Sequence, residues 1–370
     1  MIIKLSDYDG KYRIVSIAKD SHTKEMLLHD DLEMMLVNDH HVTFLPEGIS
    51  LTVTENEYEM LNNRSNYDVL EIHENGNAFV YYDNDSVDNT LFITNRCNSN
   101  CIMCPTAEGA RRCSDGYSVG ELISIVKHIP DDAPHLTITG GEPFLIKTDL
   151  FRLLAILKER LPCTDFLLLT NGRAFCSKEY VKLFEQTSPS QMIVGIPIHG
   201  YNDATHDYIV QADGAFHQTF IGLKNLLAID MPIELRIVVS KLNANFIIEI
   251  AELISQEFRG VSCVKIMGLE MTGNAAKNKD SVWIDYPSAF RHSQKAIDLL
   301  IKAGIDVGLY NFPLCSVDKR YWHICEKSIS DYKIRYSSEC EQCKVKDACG
   351  GIFAGTIKLA EKDIKPVEQL

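Results

Sequence analysis

From residue 90 onward the chain repeats one rhythm, and that rhythm constrains the fold more than any other feature. Apolar runs recur as "LFIT" at 91, "HLTITG" at 135, "DFLLLT" at 165, "QMIVGIPI" at 191, "IELRIVV" at 233 and "CVKIMG" at 263. Between and after them lie amphipathic stretches that predict helices over 118–129, 148–160, 178–186, 214–229, 244–257 and 286–303. Strands that are apolar on both faces and separated by helices belong to parallel βαβ units. Six such units predict an α/β fold built on a partial (β/α)6 TIM-like barrel, assigned to residues 89–309. The polar motifs "NRC", "GGEP", "NGR", "HGYND" and "SKLN" each follow a strand. In barrels that end of the strands carries the chemistry.

The flanks read differently. Residues 1–88 predict a small β-rich accessory module. "KYRIVSIA" and "DVLEIHENGNAFVYYD" are strand-like, the second with an "NGN" hairpin turn, and Thr54 opens a short helix. The module shows no catalytic set of its own, and its hairpin edge is a candidate for strand addition. Residues 310–370 form a turn-rich tail with five of the twelve cysteines. A net charge of −14 argues against a nucleic-acid partner. The first 25 residues hold no apolar signal-like core, and no run of about 18 apolar residues appears. The expectation is a cytoplasmic protein without a membrane partner, in which cysteines signal metal or catalysis rather than disulfides.

"RCNSNCIMCPT" places Cys97, Cys101 and Cys104 on one polar loop after the first barrel strand. Three thiolates on a [4Fe–4S] cube leave one iron open to a chelating molecule. Zinc is the competing reading and needs a fourth ligand, for which Cys113 is the near candidate. In the tail, Cys315 joins Cys340-x2-Cys343-x5-Cys349. Four thiolates complete either a second cluster or a structural zinc site, and spacing does not separate them. Cys325 is a fifth thiol, read as a spare buried cysteine, an alternative ligand or a radical-quenching donor. Cys163, Cys176 and Cys263 are expected in or beside core elements.

Cys97-x3-Cys101-x2-Cys104, followed by "TITGGEPFL", resembles the radical S-adenosylmethionine (SAM) superfamily. The resemblance implies a SAM-binding [4Fe–4S] cluster on these three cysteines and reductive cleavage of SAM to a 5′-deoxyadenosyl radical. It implies that Gly140 and Gly141 permit close approach to a ligand and that Glu142 meets the SAM ammonium. Further implied contacts are Met103 beside adenine, Asn171 on SAM, His199 at the ribose, and Met267 and Gly268 against adenine. Arg236 is implied at the SAM carboxylate, with a structural salt bridge as the alternative; a half-buried loop histidine is the alternative for His199. The family's fuller glycine-rich ribose motif is absent. The tail "CEKSISDYKIRYSSECEQCKVKDACGGIFAG" with "IMGLEMTGNA" resembles the C-type radical SAM maturase of the His-Xaa-Ser peptide system. That implies an auxiliary [4Fe–4S] cluster on Cys315, Cys340, Cys343 and Cys349. It also implies a precursor-peptide substrate, whose leader the module of residues 1–88 is expected to bind by strand addition to its hairpin edge, a flavodoxin- or ferredoxin-like electron donor and a second radical SAM maturase as partner.

Overall fold

The computed structural model describes residues 2–112 and 116–368, which form three sheets. Cys113 lies outside the described residues. The first sheet has seven strands: β1 (Ile2–Lys4), β2 (Arg13–Ala18), β3 (Met34–Asn38), β4 (His41–Leu45), β5 (Ile49–Thr52), β6 (Val69–Ile72) and β7 (Asn77–Tyr82). Their order is β1-β7-β6-β2-β3-β4-β5. The β6–β7 hairpin is antiparallel, with Gly76 at φ +77° in its turn. Thr54 caps the helix Glu55–Asn62 through a capping box with Glu57.

The hairpin is not a free edge. β7 is covered by β1, with Ile2 opposite Phe79, and β6 is covered by β2. Strand addition at the hairpin is therefore excluded, and the edges that remain are β1 and β5. A three-residue strand such as β1 is too short to leave a periodic signal in the sequence.

The second sheet is parallel throughout and has eight strands: β8 (Thr90–Phe92), β9 (His135–Thr139), β10 (Asp165–Leu169), β11 (Met192–Pro197), β12 (Ile233–Val238), β13 (Cys263–Met267), β14 (Asp306–Tyr310) and β15 (Cys325–Glu326). The six expected strands are present, connected by helices that include Val119–His128, Thr148–Arg160, Lys178–Thr187, Ala215–Leu227 and Ile247–Glu257. Two more strands extend the sheet beyond these six. After the helix Tyr286–Lys302, β14 and β15 carry the same sheet on to residue 326. Gly308 interrupts the apolar run of β14, and β15 is two residues long, so neither reads as a strand by pattern. The result is a partial TIM-like barrel whose sheet ends are β8 and β15.

Alternation sorts each strand into an outer and an inner face. Ile233, Leu235 and Ile237 of β12, and Val264 and Ile266 of β13, are buried against the helices in one core. Glu234, Arg236, Cys263 and Lys265 take the opposite parity and face the lumen. Ile14, Val69 and Tyr82 of the first sheet join the barrel core, packing with Leu122, Ile125 and Val126. Ser16 Oγ lies 2.9 Å from His128 Nδ1 across that seam. A third, two-stranded sheet, β16 (Ile334–Arg335) with β17 (Ile352–Phe353), organises the tail. Among the described residues no helix is long and apolar enough to cross a membrane.

Candidate functional site

The cysteine loop leaves β8 and is gripped first by the turn after β9. Gly141 N–H donates to Thr94 O at 2.7 Å, and Glu142 N–H donates to Arg96 O at 2.8 Å. A Cβ at Gly140 would stand 2.5 Å from Thr94 O, and one at Gly141 would stand 2.2 Å from Arg96 O. The close approach these glycines permit is thus to the loop's own backbone, where the sequence suggested a ligand. Glu142 is 1 % exposed. Its Oε1 accepts from Thr170 Oγ1–H at 2.8 Å and Phe144 N–H at 3.1 Å, and its Oε2 accepts from Asn171 N–H at 2.7 Å. A carboxylate has about four acceptor positions, so one stays available to an ammonium. Burial pushes its pKa up against the opposing pull of these donors.

The loop's other side is held by residues the sequence did not single out. Asn274 Nδ2–H donates to Cys101 O at 3.1 Å, and its backbone N–H donates to Cys104 O at 2.9 Å. Asn278 Nδ2–H donates to Ile102 O at 2.9 Å. Arg111 is 7 % exposed and donates to Ser99 O at 3.0 Å, and Arg173 donates to Asn98 O at 2.8 Å. These contacts span up to 176 residues of chain, and isolated asparagines carry no signal for them. "MTGNA", quoted for its resemblance, is the one stretch that pointed there.

So clamped, the loop brings the three thiols within electrostatic reach of one another. Burial, followed by the neighbouring thiols Cys104 and Cys97, pushes Cys101 up to about 12. Burial also raises Cys97, while Arg111 and the Ser99 N–H oppose it. Among the described residues no three His, Cys, Asp or Glu side chains converge on a single-ion site. The donor set is all thiol, which suits iron–sulfur ligation.

The remaining candidates ring the strand ends. Asn171 follows β10, and its Nδ2–H donates to Asn98 Oδ1 at 2.6 Å. His199 is buried after β11 and its Nδ1 has no hydrogen-bond partner. Burial, then neighbouring His206, lowers its pKa to about 3, so its imidazole is neutral. Met103 is buried among Ile209, Leu269, Met271 and Val282, which form an apolar bed under the loop. Gly268 N–H donates to Tyr310 O at 2.9 Å, and a Cβ there would strike Tyr286 at 2.5 Å. Met267 ends β13, and its carbonyl accepts from Val239 N–H. Arg236 lies deeper in the lumen, 3.3 Å from Glu234 Oε1, so the salt bridge left open by the sequence is present.

The tail gathers Cys315, Cys340, Cys343 and Cys349 around one small cavity. Backbone N–H groups point at their sulfurs. Leu314 and Gly351 both donate to Cys349 Sγ at 3.4 Å, and Val367 donates to Cys343 Sγ at 3.4 Å. Such donors stabilise thiolate ligands. Cys325 does not line the cavity. Its thiol donates to Tyr321 O at 3.5 Å, and burial pushes it up to about 12. Two of the cysteines expected in or beside the core, Cys163 and Cys176, are exposed, one in the turn beyond the helix Thr148–Arg160 and the other ending the 3-10 turn Arg173–Cys176.

Residues 91–254 match the family model described as the radical SAM superfamily. The AdoMet-dependent heme synthase of Methanosarcina barkeri is 28% identical over 224 residues, covering 57% of this chain and 59% of that one. The sporulation killing factor maturation protein SkfB of Bacillus subtilis is 27% identical over 163 residues, covering 44% and 38%. Among solved structures, Streptococcus suis SuiB bound to S-adenosylmethionine superposes with a TM-score of 0.51 at 13% identity, covering 79% of this chain and 61% of that one. SuiB bound to its precursor peptide SuiA gives 0.50 at 13%, covering 62% and 49%. The chain spans less than two thirds of the length of each.

Proposed function

The chain carries a radical SAM domain over residues 91–254, and from that premise we propose that it is a peptide-modifying radical SAM enzyme. When bound, the cluster would supply the electron for reductive cleavage of SAM, the chemistry by which such enzymes remove a hydrogen atom from an unactivated carbon of the substrate. Cys97, Cys101 and Cys104 hold that cluster in this reading. Glu142 orients the SAM ammonium through its free acceptor position, and neutral His199 offers its unpartnered Nδ1 toward the ribose. The observation that carries the reading is the three-thiol loop locked between the Gly-Gly-Glu turn and Asn274. It supports a rigid cluster mount facing the strand ends.

Cys315, Cys340, Cys343 and Cys349 hold an auxiliary [4Fe–4S] cluster in the same reading. The substrate is a ribosomally made precursor peptide of the His-Xaa-Ser type. Its leader adds to the β5 edge of the first sheet, and a flavodoxin- or ferredoxin-like donor and a second radical SAM maturase act alongside. SuiB binds a precursor peptide and SkfB is a maturation protein, which supports a peptide over a small molecule or RNA. The reading places the protein in the cytoplasm. Anaerobic metal analysis and the visible spectrum test it. Iron at two cubes per chain, with a broad charge-transfer band, is expected. Zinc in place of iron contradicts the whole reading.

A further inference from the structure

Below the strand-end ring, the lumen wall carries a second polar set. Glu234 is 7 % exposed, and its Oε1 has no hydrogen-bond partner. The Nε of Arg236 is likewise buried and unpartnered, although the two atoms lie 3.3 Å apart as an unaligned ion pair. One strand over, Lys265 Nζ donates to Glu326 Oε1 at 2.7 Å. The Tyr310 ring lies between the cations, 5.2 Å from Lys265 Nζ and 6.0 Å from the Arg236 guanidinium. Two glycines make room for these side chains. A Cβ at Gly308 would stand 2.2 Å from Glu326 Oε1 and 2.8 Å from Lys265 Nζ, and one at Gly195 would lie 2.6 Å from Leu169 Cδ2 and 3.5 Å from Arg236 Cδ.

The fold itself does not call for this set. Buried ion pairs are commonly matched or bettered by apolar side chains of similar volume, and unmade buried hydrogen bonds are costly. A buried acceptor and a buried donor left side by side describe a ligand position. The two carboxylates and two cations balance, so a charged guest would leave net charge buried. A neutral, flat group with one donor and one acceptor matches the free oxygen, the free N–H and the tyrosine face. Beside this set the Glu326 side chain is 44% exposed, and Ile193 of β11 is 41% exposed.

We infer that Glu234, Arg236 and Tyr310, backed by Lys265 and Glu326, form a substrate subsite for a planar amide or imidazole group. The inference rests on the peptide-substrate reading and deepens it. The group comes either from a side chain or from a backbone peptide unit. In the reconstituted full chain, a fluorescent synthetic peptide with His-Xaa-Ser repeats and its His→Phe counterpart separate the two sources. Glu234→Gln is expected to weaken binding of the repeat peptide about tenfold and to lower modified peptide per 5′-deoxyadenosine formed. Glu234→Asp restores part of the loss. If the side chain is the guest, the His→Phe peptide shows the same weakening with wild type and no further loss with Glu234→Gln. If the backbone is the guest, it binds like the parent peptide. Wild-type affinity for the repeat peptide in Glu234→Gln overturns the subsite. Absence of binding by wild type overturns the substrate reading instead, and thermal unfolding then decides the subsite. A Glu234→Leu/Arg236→Leu double variant is expected to melt at or above the wild-type temperature. A drop of several degrees makes the pair structural and overturns the inference.

Discussion

Replacing Gly141 by alanine tests the grip between the cysteine loop and the turn after β9. The added Cβ would lie 2.2 Å from Arg96 O and 2.6 Å from Asn95 O, both backbone atoms that no rotamer change can move. Ordinary contact requires a separation of about 3.5 Å, so turn and loop must part by about 1 Å. That motion breaks the 2.7 Å bond from Gly141 N–H to Thr94 O and the 2.8 Å bond from Glu142 N–H to Arg96 O. At about 1 kcal/mol net for each bond, the loss is about 2 kcal/mol before any strain. Both bonds tie the turn to the cysteine loop, so the cost falls on the cluster mount. About 2 kcal/mol corresponds to about 30-fold in SAM affinity. The assay is equilibrium dialysis of SAM with anaerobically reconstituted protein, alongside iron per chain. Gly109→Ala is the control, since a Cβ there meets nothing within 4 Å. Wild-type SAM affinity and iron content in Gly141→Ala would falsify the account of the glycines.

Two further outcomes follow from the geometry. Burial lowers His128 to about 4, far under its ordinary 6.5, so the unfolded chain takes up the proton first as the pH falls. Its stabilising contribution is complete above about pH 6.5 and is lost toward pH 4, amounting to about 3 kcal/mol; His199 and His206 act in the same direction. Urea unfolding at pH 7 and at pH 5 checks this, and equal midpoints contradict it. In the tail, Cys325→Ser should keep full iron, because its thiol bonds to Tyr321 O and lies outside the cavity. Cys349→Ser, which removes the sulfur that accepts two backbone N–H bonds, should lose one cluster's iron; loss of iron in both variants would make Cys325 a ligand.

The barrel was legible because each strand places a buried Leu, Ile, Val or Phe at every second position and helical stretches alternate with these runs. β14 escaped because Gly308 occupies the one inner-face position where a side chain would collide with Lys265 and Glu326. The cysteine spacings announced two thiol sets, yet not what grips them, since Asn274, Asn278 and Arg111 act only through tertiary contact. "GGEP" pointed to the right turn, while the need for two glycines came from the neighbouring backbone. Arg236 stood out as a charge in an apolar strand. Glu234, two residues earlier, has the same parity and was the overlooked half of the pair.

The central claim is that Cys97, Cys101 and Cys104 mount the SAM-cleaving cluster independently of the tail. Its most direct measurement is 5′-deoxyadenosine formed from SAM under dithionite, compared between wild type and a variant with Cys97, Cys101 and Cys104 all changed to alanine. The account predicts steady formation by wild type, none by the variant, and retention of the tail's iron in that variant. Continued 5′-deoxyadenosine formation by a variant lacking all three thiols would contradict it.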